Sequence, residues 1–276
     1  MQETKRNVTK ENDLQRIKEL RLMDDDFFSE ALDGKTEAVE YILNTVLERD
    51  DIKEKSTKAQ VEYKSATKRS IKLDIQAEDV HGRLMDIEIQ RSDRGSGVRR
   101  ARFHSSMIDR ALLSKGDDFE DLVDTYVIFI TEKDKFGMGI PLYHIERKIS
   151  EMDNALFGDG AHILYVNGEY RNLEHPVGSL MHDFNCKDAK DMVNPLLAEE
   201  VRYLKETEGG RSQMSRILEE MRNEAAEKAK AEGNHEKAVN TALKMIARGR
   251  DSIEEVAEIT GLSLEEVRKL AENQKG

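Results

Sequence analysis

The chain has 276 residues, and 56 acidic against 44 basic side chains leave a net charge of −12, which taken alone disfavours a nucleic-acid partner. Its length suits one large domain or two small ones, and with 38% hydrophobic and 36% charged residues a core forms only if part of the chain is solvated helix. There is no run of 18 apolar residues and the first segment, MQETKRNVTKEND, is polar, so a cytoplasmic protein with no membrane partner, signal peptide or lipid anchor is expected.

Residues 14–33 carry Leu14, Ile17, Leu20, Leu22, Phe27, Phe28, Ala31 and Leu32 at roughly the helical period, broken by the acidic triplet Asp24, Asp25, Asp26. From Thr36, the stripe Ala38, Val39, Ile42, Leu43, Val46, Leu47 predicts a second helix. The period then changes to two. Val61 and Tyr63, then Ile71, Leu73, Ile75 and Ala77, then Met85, Ile87 and Ile89 predict three strands. Residues 99–113 return to helical spacing, and TYVIFIT at 125–131 reads as a strand buried on both faces. PLYHIERKI and AHILYVNGEYRN read as shorter strands, with a turn at Asn167 and Gly168. Beyond Pro195 the chain has no further proline and is rich in Ala, Glu, Lys and Arg, the composition of solvated helix. The lone Cys186 has no partner for a disulfide and no metal-site spacing, and reads as an ordinary thiol.

Between the second and third strands lies EDVHGRL. A three-residue loop Val80-His81-Gly82 puts Gly82 at the left-handed position, and residues whose numbers sum to 162 then face each other. Leu73, Ile75 and Ala77 are expected opposite Ile89, Ile87 and Met85 on an apolar face, while Asp74, Gln76, Asp86, Glu88 and Gln90 share the other, with Asp74 directly facing Glu88. Facing carboxylates repel unless a cation lies between them, and oxygen ligands without sulfur or imidazole select Mg²⁺ or Mn²⁺. The carbonyl of Ile89 is within reach as a third ligand. The bland alternative is a wet sheet face lined with acids. Against it stands the local charge: residues 53–72 and residues 91–115 each hold seven Lys or Arg against two acids, a balance suited to holding a polyanion.

At these residues the sequence resembles the PD-(D/E)xK nuclease superfamily, and within it the transposases called recombination-promoting nucleases. RSIKLDI is similar to the first motif strand and DIEIQR to the second, which puts Asp74, Glu88 and Gln90 at the motif positions, with E-x-Q in place of E-x-K. MDDDFFSEAL, RRARFHSSMIDRALLSKGDDFEDLVDTYVIFIT and MHDFNC resemble further family segments, so the likeness covers roughly residues 20–210. It implies an α/β restriction-endonuclease-like core of order α-β-β-β-α-β, a mixed sheet flanked by helices, and a Mg²⁺-dependent endonuclease acting on DNA in recombination.

The implied ligands are Asp74, Glu88 and the Ile89 carbonyl, with Gln90 orienting the water. Gln90 lacks the lysine's charge, leaving Arg91 or a second metal to supply it. Asp25 completes the site by its place before Phe28 in the family motif, or simply stabilises a helix N-terminus. Arg91, Arg99, Arg102 and His104 are assigned to phosphate contact, the alternative for the helical residues being a solvated face.

The expected organisation is a nuclease-like domain over 14–195, a helical linker over 196–250, and a helix-turn-helix-like element over 251–273. Ser252 with Glu255 and Ser263 with Glu266 read as capping boxes, and the element suits dimerisation better than base reading. Two readings compete with a DNA endonuclease: a regulatory nucleic-acid-binding protein without turnover, which Gln90 leaves open, and an RNA-directed nuclease of the same fold.

Overall fold

The computed structural model describes residues 2–63, 71–91 and 96–273, so the basic stretches at 53–72 and 91–115 lie partly outside the described residues. The chain forms two compact units, Met1–Ser215 and Arg216–Gly276.

The first unit opens with helices α1 (Gln2–Glu19), α2 (Asp25–Leu32) and α3 (Thr36–Val46). The acidic triplet separates α1 from α2: Asp24 holds an extended backbone at the N-cap, and Asp25 and Asp26 fall in the first turn of α2, where the helix dipole favours negative charge. Three strands follow, β1 (Glu54–Tyr63), β2 (Ile71–Asp79) and β3 (Leu84–Gln90), then α4 (Val98–Leu112) and β4 (Thr125–Thr131). β1 begins well before Val61, because Glu54 and Ser56 to Lys58 pair along β2 despite their polarity. Beyond β4 come β5 (Leu142–Ile145), the short pair β6 (Lys148–Ile149) and β7 (Ala155–Leu156), β8 (Ala161–Asn167), α5 (Pro176–Asn185) and α6 (Pro195–Glu206). The order is thus the α-β-β-β-α-β of the expected core, with additions.

Six strands make one mixed sheet in the order β1-β2-β3-β4-β8-β5, antiparallel at β1/β2, β2/β3 and β8/β5 and parallel through β3, β4 and β8. β4 is buried along its whole length, as its unbroken apolar run predicts. α4 covers one face, where Leu73, Leu84, Val127, Phe129 and Tyr165 pack with its Ala101 and Ile108. The alternate positions Met85, Ile87, Ile128 and Ile130 are buried as well, so the second face is also covered, and α2 and α3 pack against β1 to β3. At the end of β8, Gly168 lets the turn from Asn167 press on β4: its N–H donates to the Thr131 carbonyl at 2.8 Å.

The hairpin between β2 and β3 has the predicted loop. Gly82 takes φ +80°, and the Asp79 carboxylate accepts the N–H groups of His81 and Arg83, each at 2.9 Å. The predicted register holds from Glu78–Leu84 to Ile75–Ile87. It changes at Asp74. Pairing between β1 and β2 passes from Ala59–Ile75 to Val61–Leu73, with Gln60 at φ +55° between them. Past this irregularity Leu73 joins the α4 side of the sheet, and not the face of Ile75 and Ala77 where simple alternation put it.

The second unit contains the distal part of α7 (Glu208–Arg248), with α8 (Ile253–Thr260) and α9 (Leu264–Asn273). Both capping boxes form: Ser252 with Glu255, and Ser263 with Glu266. Gly261 ends α8 at φ +72°, and Ala242, Val256, Leu262 and Val267 close a small core.

Candidate active site

Period two along β3 sends Asp86 and Glu88 to the face covered by α4, beside Val127 and Phe129 of the parallel neighbour β4. This face is not wet. Asp86 and Glu88 are each 0% exposed, which disposes of the solvated-acid reading.

At Asp74 side chains take over from the backbone ladder. The Ile89 N–H donates to Asp74 Oδ2 at 2.9 Å, and the Asp74 N–H donates to Glu88 Oε1 at 3.2 Å. The two carboxylates thus hold each other's strand where the backbone pairing ends. Ile89, expected to offer its carbonyl, contacts Asp74 through its amide.

From α4, Arg100 and His104 lie one turn apart and reach down to the same carboxylates. Arg100 Nη2 donates to Glu88 Oε2 at 2.8 Å, and its Nε donates to His104 Nε2 at 3.2 Å. Because a guanidinium can only donate, His104 Nε2 accepts, so Nδ1 carries the proton and donates to Asp86 Oδ2 at 3.1 Å. The Phe129 ring supports both groups, its centroid 5.8 Å from the guanidinium and 5.8 Å from the imidazole.

Burial is the main force on the three acids and pushes all of them toward the protonated form. It raises Asp74 to about 6, aided by the negative charge of Asp25 and opposed by the Ile89 amide. Asp86 and Glu88 are raised further, by burial first and then by neighbouring carboxylates, with Arg100 opposing. Ligand atoms of Asp86, Glu88 and His104 lie within 4.8 Å of one another, and Asp86 Oδ1, buried, accepts no hydrogen bond. A proton, a cation or a donor such as water would satisfy that oxygen. A carboxylate-rich pocket with an orphaned oxygen and no sulfur fits a hard divalent ion.

The other sequence candidates are spread more widely. Gln90 ends β3 on the same face as Glu88 and is partly buried. Asp25 is exposed in the first turn of α2, close enough for its charge to act on Asp74. Arg91 turns away from the carboxylates: it donates to Asp24 Oδ1 at 2.5 Å and to Glu132 Oε2 at 3.4 Å. Arg99 and Arg102 are exposed on α4, whereas His104 is 2% exposed and faces Asp86 rather than outward. Asp86 and Arg100 received no role from the sequence. The available signal was the buried stripe Ala101, His104, Ser105, Ile108 on α4, which turns position 100, and neither 99 nor 102, toward the sheet.

A second cluster, His182, Asp183 and Cys186, lies in the MHDFNC segment. Both Asp183 oxygens are occupied by the N–H groups of Val193 and Asn194, each at 2.7 Å, so this acid fastens the loop before α6.

A family model described as PD-(D/E)XK nuclease family transposase matches residues 26–175, a span that holds Asp74, Asp86, Glu88, Gln90, Arg100 and His104 and stops just short of Asp25. Neither a curated protein nor a solved structure gives a significant match to the chain. Among the described residues no helix is long and apolar enough to cross a membrane.

Proposed function

Because the chain belongs to the PD-(D/E)XK nuclease family of transposases, we propose that its buried carboxylate cluster hydrolyses phosphodiester bonds within DNA, using Mg²⁺ with Mn²⁺ as a substitute. The observation that carries this reading is the convergence of Asp74, Asp86 and Glu88 from two adjacent strands, with an Asp86 oxygen left without a donor.

Asp74, Glu88 and Asp86 would hold the cation, with the Ile89 carbonyl as a further oxygen ligand. A divalent ion held there supplies a Lewis acid for the phosphate and makes water more acidic. The protein's own groups do the rest. The Ile89 amide keeps the Asp74 carboxylate from rotating, and His104 keeps Asp86 aimed through its Nδ1–H. Gln90 can accept a hydrogen bond from the attacking water through its amide oxygen and so orient it. Phe129 and the α4 helix exclude bulk water from behind the carboxylates, which strengthens their hold on a cation. Arg99 and Arg102, exposed on α4, are placed for backbone phosphates, and Asp25 adds negative charge at the entrance beside Asp74.

The test is plasmid cleavage by purified protein in Mg²⁺ or Mn²⁺. Nicking or linearisation is expected for the parent and its loss for Asp74→Ala and Glu88→Ala. Intact plasmid with the parent, or equal cleavage by the variants, would overturn the reading. Offering RNA to the same preparation separates a DNA from an RNA substrate.

A further inference from the structure

Strand β3 ends in Glu88-Ile89-Gln90, so the position two after Glu88 carries an amide with no charge. A phosphodiester approaching Asp74, Asp86 and Glu88 brings more negative charge to a pocket that already holds three acids, and a cation of the protein beside the phosphate lowers that cost. The adjacent Arg91 is not available for this: Asp24 and Glu132 bind it from two sides.

We propose that Arg100 is that cation, carried into the site by α4 instead of by β3. Three observations converge on it. Its Nη2 lies 2.8 Å from Glu88 Oε2, at the acid two residues before Gln90. Its direction is set by the Phe129 ring and by the bond from Nε to His104, which is itself anchored on Asp86. Its side chain remains 36% exposed against 0% for Glu88, so the guanidinium stands between the buried acids and the solvent from which a phosphate arrives. With a divalent ion on the Glu88 oxygen, rotation of the Arg100 side chain would let its planar guanidinium pair with two phosphate oxygens. Arg99 and Arg102, on the exposed side of α4, do not reach the acids.

The proposal rests on the reading of the site as a phosphodiesterase, and the experiment keeps the two apart. Arg100→Gln, Arg100→Lys and the double variant Arg100→Gln with Gln90→Lys are compared with the parent in plasmid cleavage, in Mn²⁺ binding by calorimetry, in binding of an oligonucleotide in Ca²⁺, and in thermal melting. Arg100→Gln is expected to lose cleavage on the order of 100-fold, as for removal of one group that stabilises transition-state charge. Its Mn²⁺ affinity should be unchanged or tighter, since a positive charge has left the ligands. Gln90→Lys should restore part of the lost cleavage by returning a cation from the strand, and Arg100→Lys should fall between Arg100→Gln and the parent. Mn²⁺ affinity that falls along with cleavage would make Arg100 only a support for Glu88 and overturn the proposal, as would no recovery with Gln90→Lys. If Arg100→Gln melts well below the parent, Arg100→Lys decides by the same Mn²⁺ and cleavage comparison. If the parent cuts nothing, the phosphodiesterase reading fails. Arg100 is then judged on the oligonucleotide: weaker binding by Arg100→Gln at undiminished Mn²⁺ affinity supports it, and equal binding overturns it.

Discussion

Asp86→Asn separates the two demands on the carboxylate pocket, stability and cation binding. Asp86 is fully buried, one of its oxygens accepts nothing, and ligand atoms of Asp86 and Glu88 approach within 4.8 Å. Two full charges at that distance repel by about 3.5 kcal/mol with an effective dielectric constant of ~20. The metal-free protein avoids part of this by holding protons, the direction in which burial and mutual repulsion shift both groups. Asparagine removes the repulsion and keeps an oxygen for the His104 Nδ1–H. Relief of roughly half the full repulsion, about 2 kcal/mol at pH 7–8, is therefore expected in the absence of metal. For a unit of this size that raises Tm by roughly 4–8 °C. Added Mn²⁺ should narrow the gap, because the parent gains more from the ion than the variant does. The assay is thermal unfolding of parent and Asp86→Asn in EDTA and in millimolar Mn²⁺. A variant less stable than the parent in EDTA would refute the repulsive cluster, and one stabilised equally by Mn²⁺ would refute Asp86 as part of a cation site.

The same acids set a pH dependence. Asp74 is raised to about 6 in the folded protein against roughly 4 in an unfolded chain. Its contribution to stability is thus fully present below about pH 4 and is lost as pH rises through 6, because the folded state holds the proton more tightly. In EDTA the parent should lose stability relative to Asp74→Asn between about pH 4 and 6, and Mg²⁺ should cancel the loss at pH 8. A pH-independent difference between the two proteins would contradict this. In the turn after β8, a Cβ on Gly168 would stand 2.3 Å from the Thr131 carbonyl oxygen and 3.2 Å from Glu132 Cα, both on the backbone. Gly168→Ala should destabilise by about 1–3 kcal/mol or more, read from the urea midpoint, and an unchanged midpoint would mean that β4 and the turn after β8 can separate freely.

Much of the β2–β3 hairpin was legible in the sequence because its rules are local. A period of two marks β2 and β3, and Gly82 supplies the one positive φ the loop needs. Together they set the register from Glu78–Leu84 to Ile75–Ile87, and Asp74 meets Glu88 where that pairing ends. The buried run 125–131 and both capping boxes of the last two helices are equally local signals. The net charge of −12 misled for the opposite reason: it sums over the chain, while a site responds to charges within a few ångströms, and here Arg100 stands against three acids.

What the tertiary structure alone decided concerns contacts between segments distant in sequence. Alternation marks the polar face of β3 but does not say whether helix or water covers it; α4 covers it, and burial then shifts the acids' protonation. Three arginines crowd positions 99, 100 and 102, and only the rotation of α4 on the sheet turns the middle one onto Glu88. Arg91 adjoins the motif in sequence, yet its partners Asp24 and Glu132 are 67 and 41 residues away. Residue order places side chains along a strand or around a helix, whereas which charges meet depends on how those elements pack.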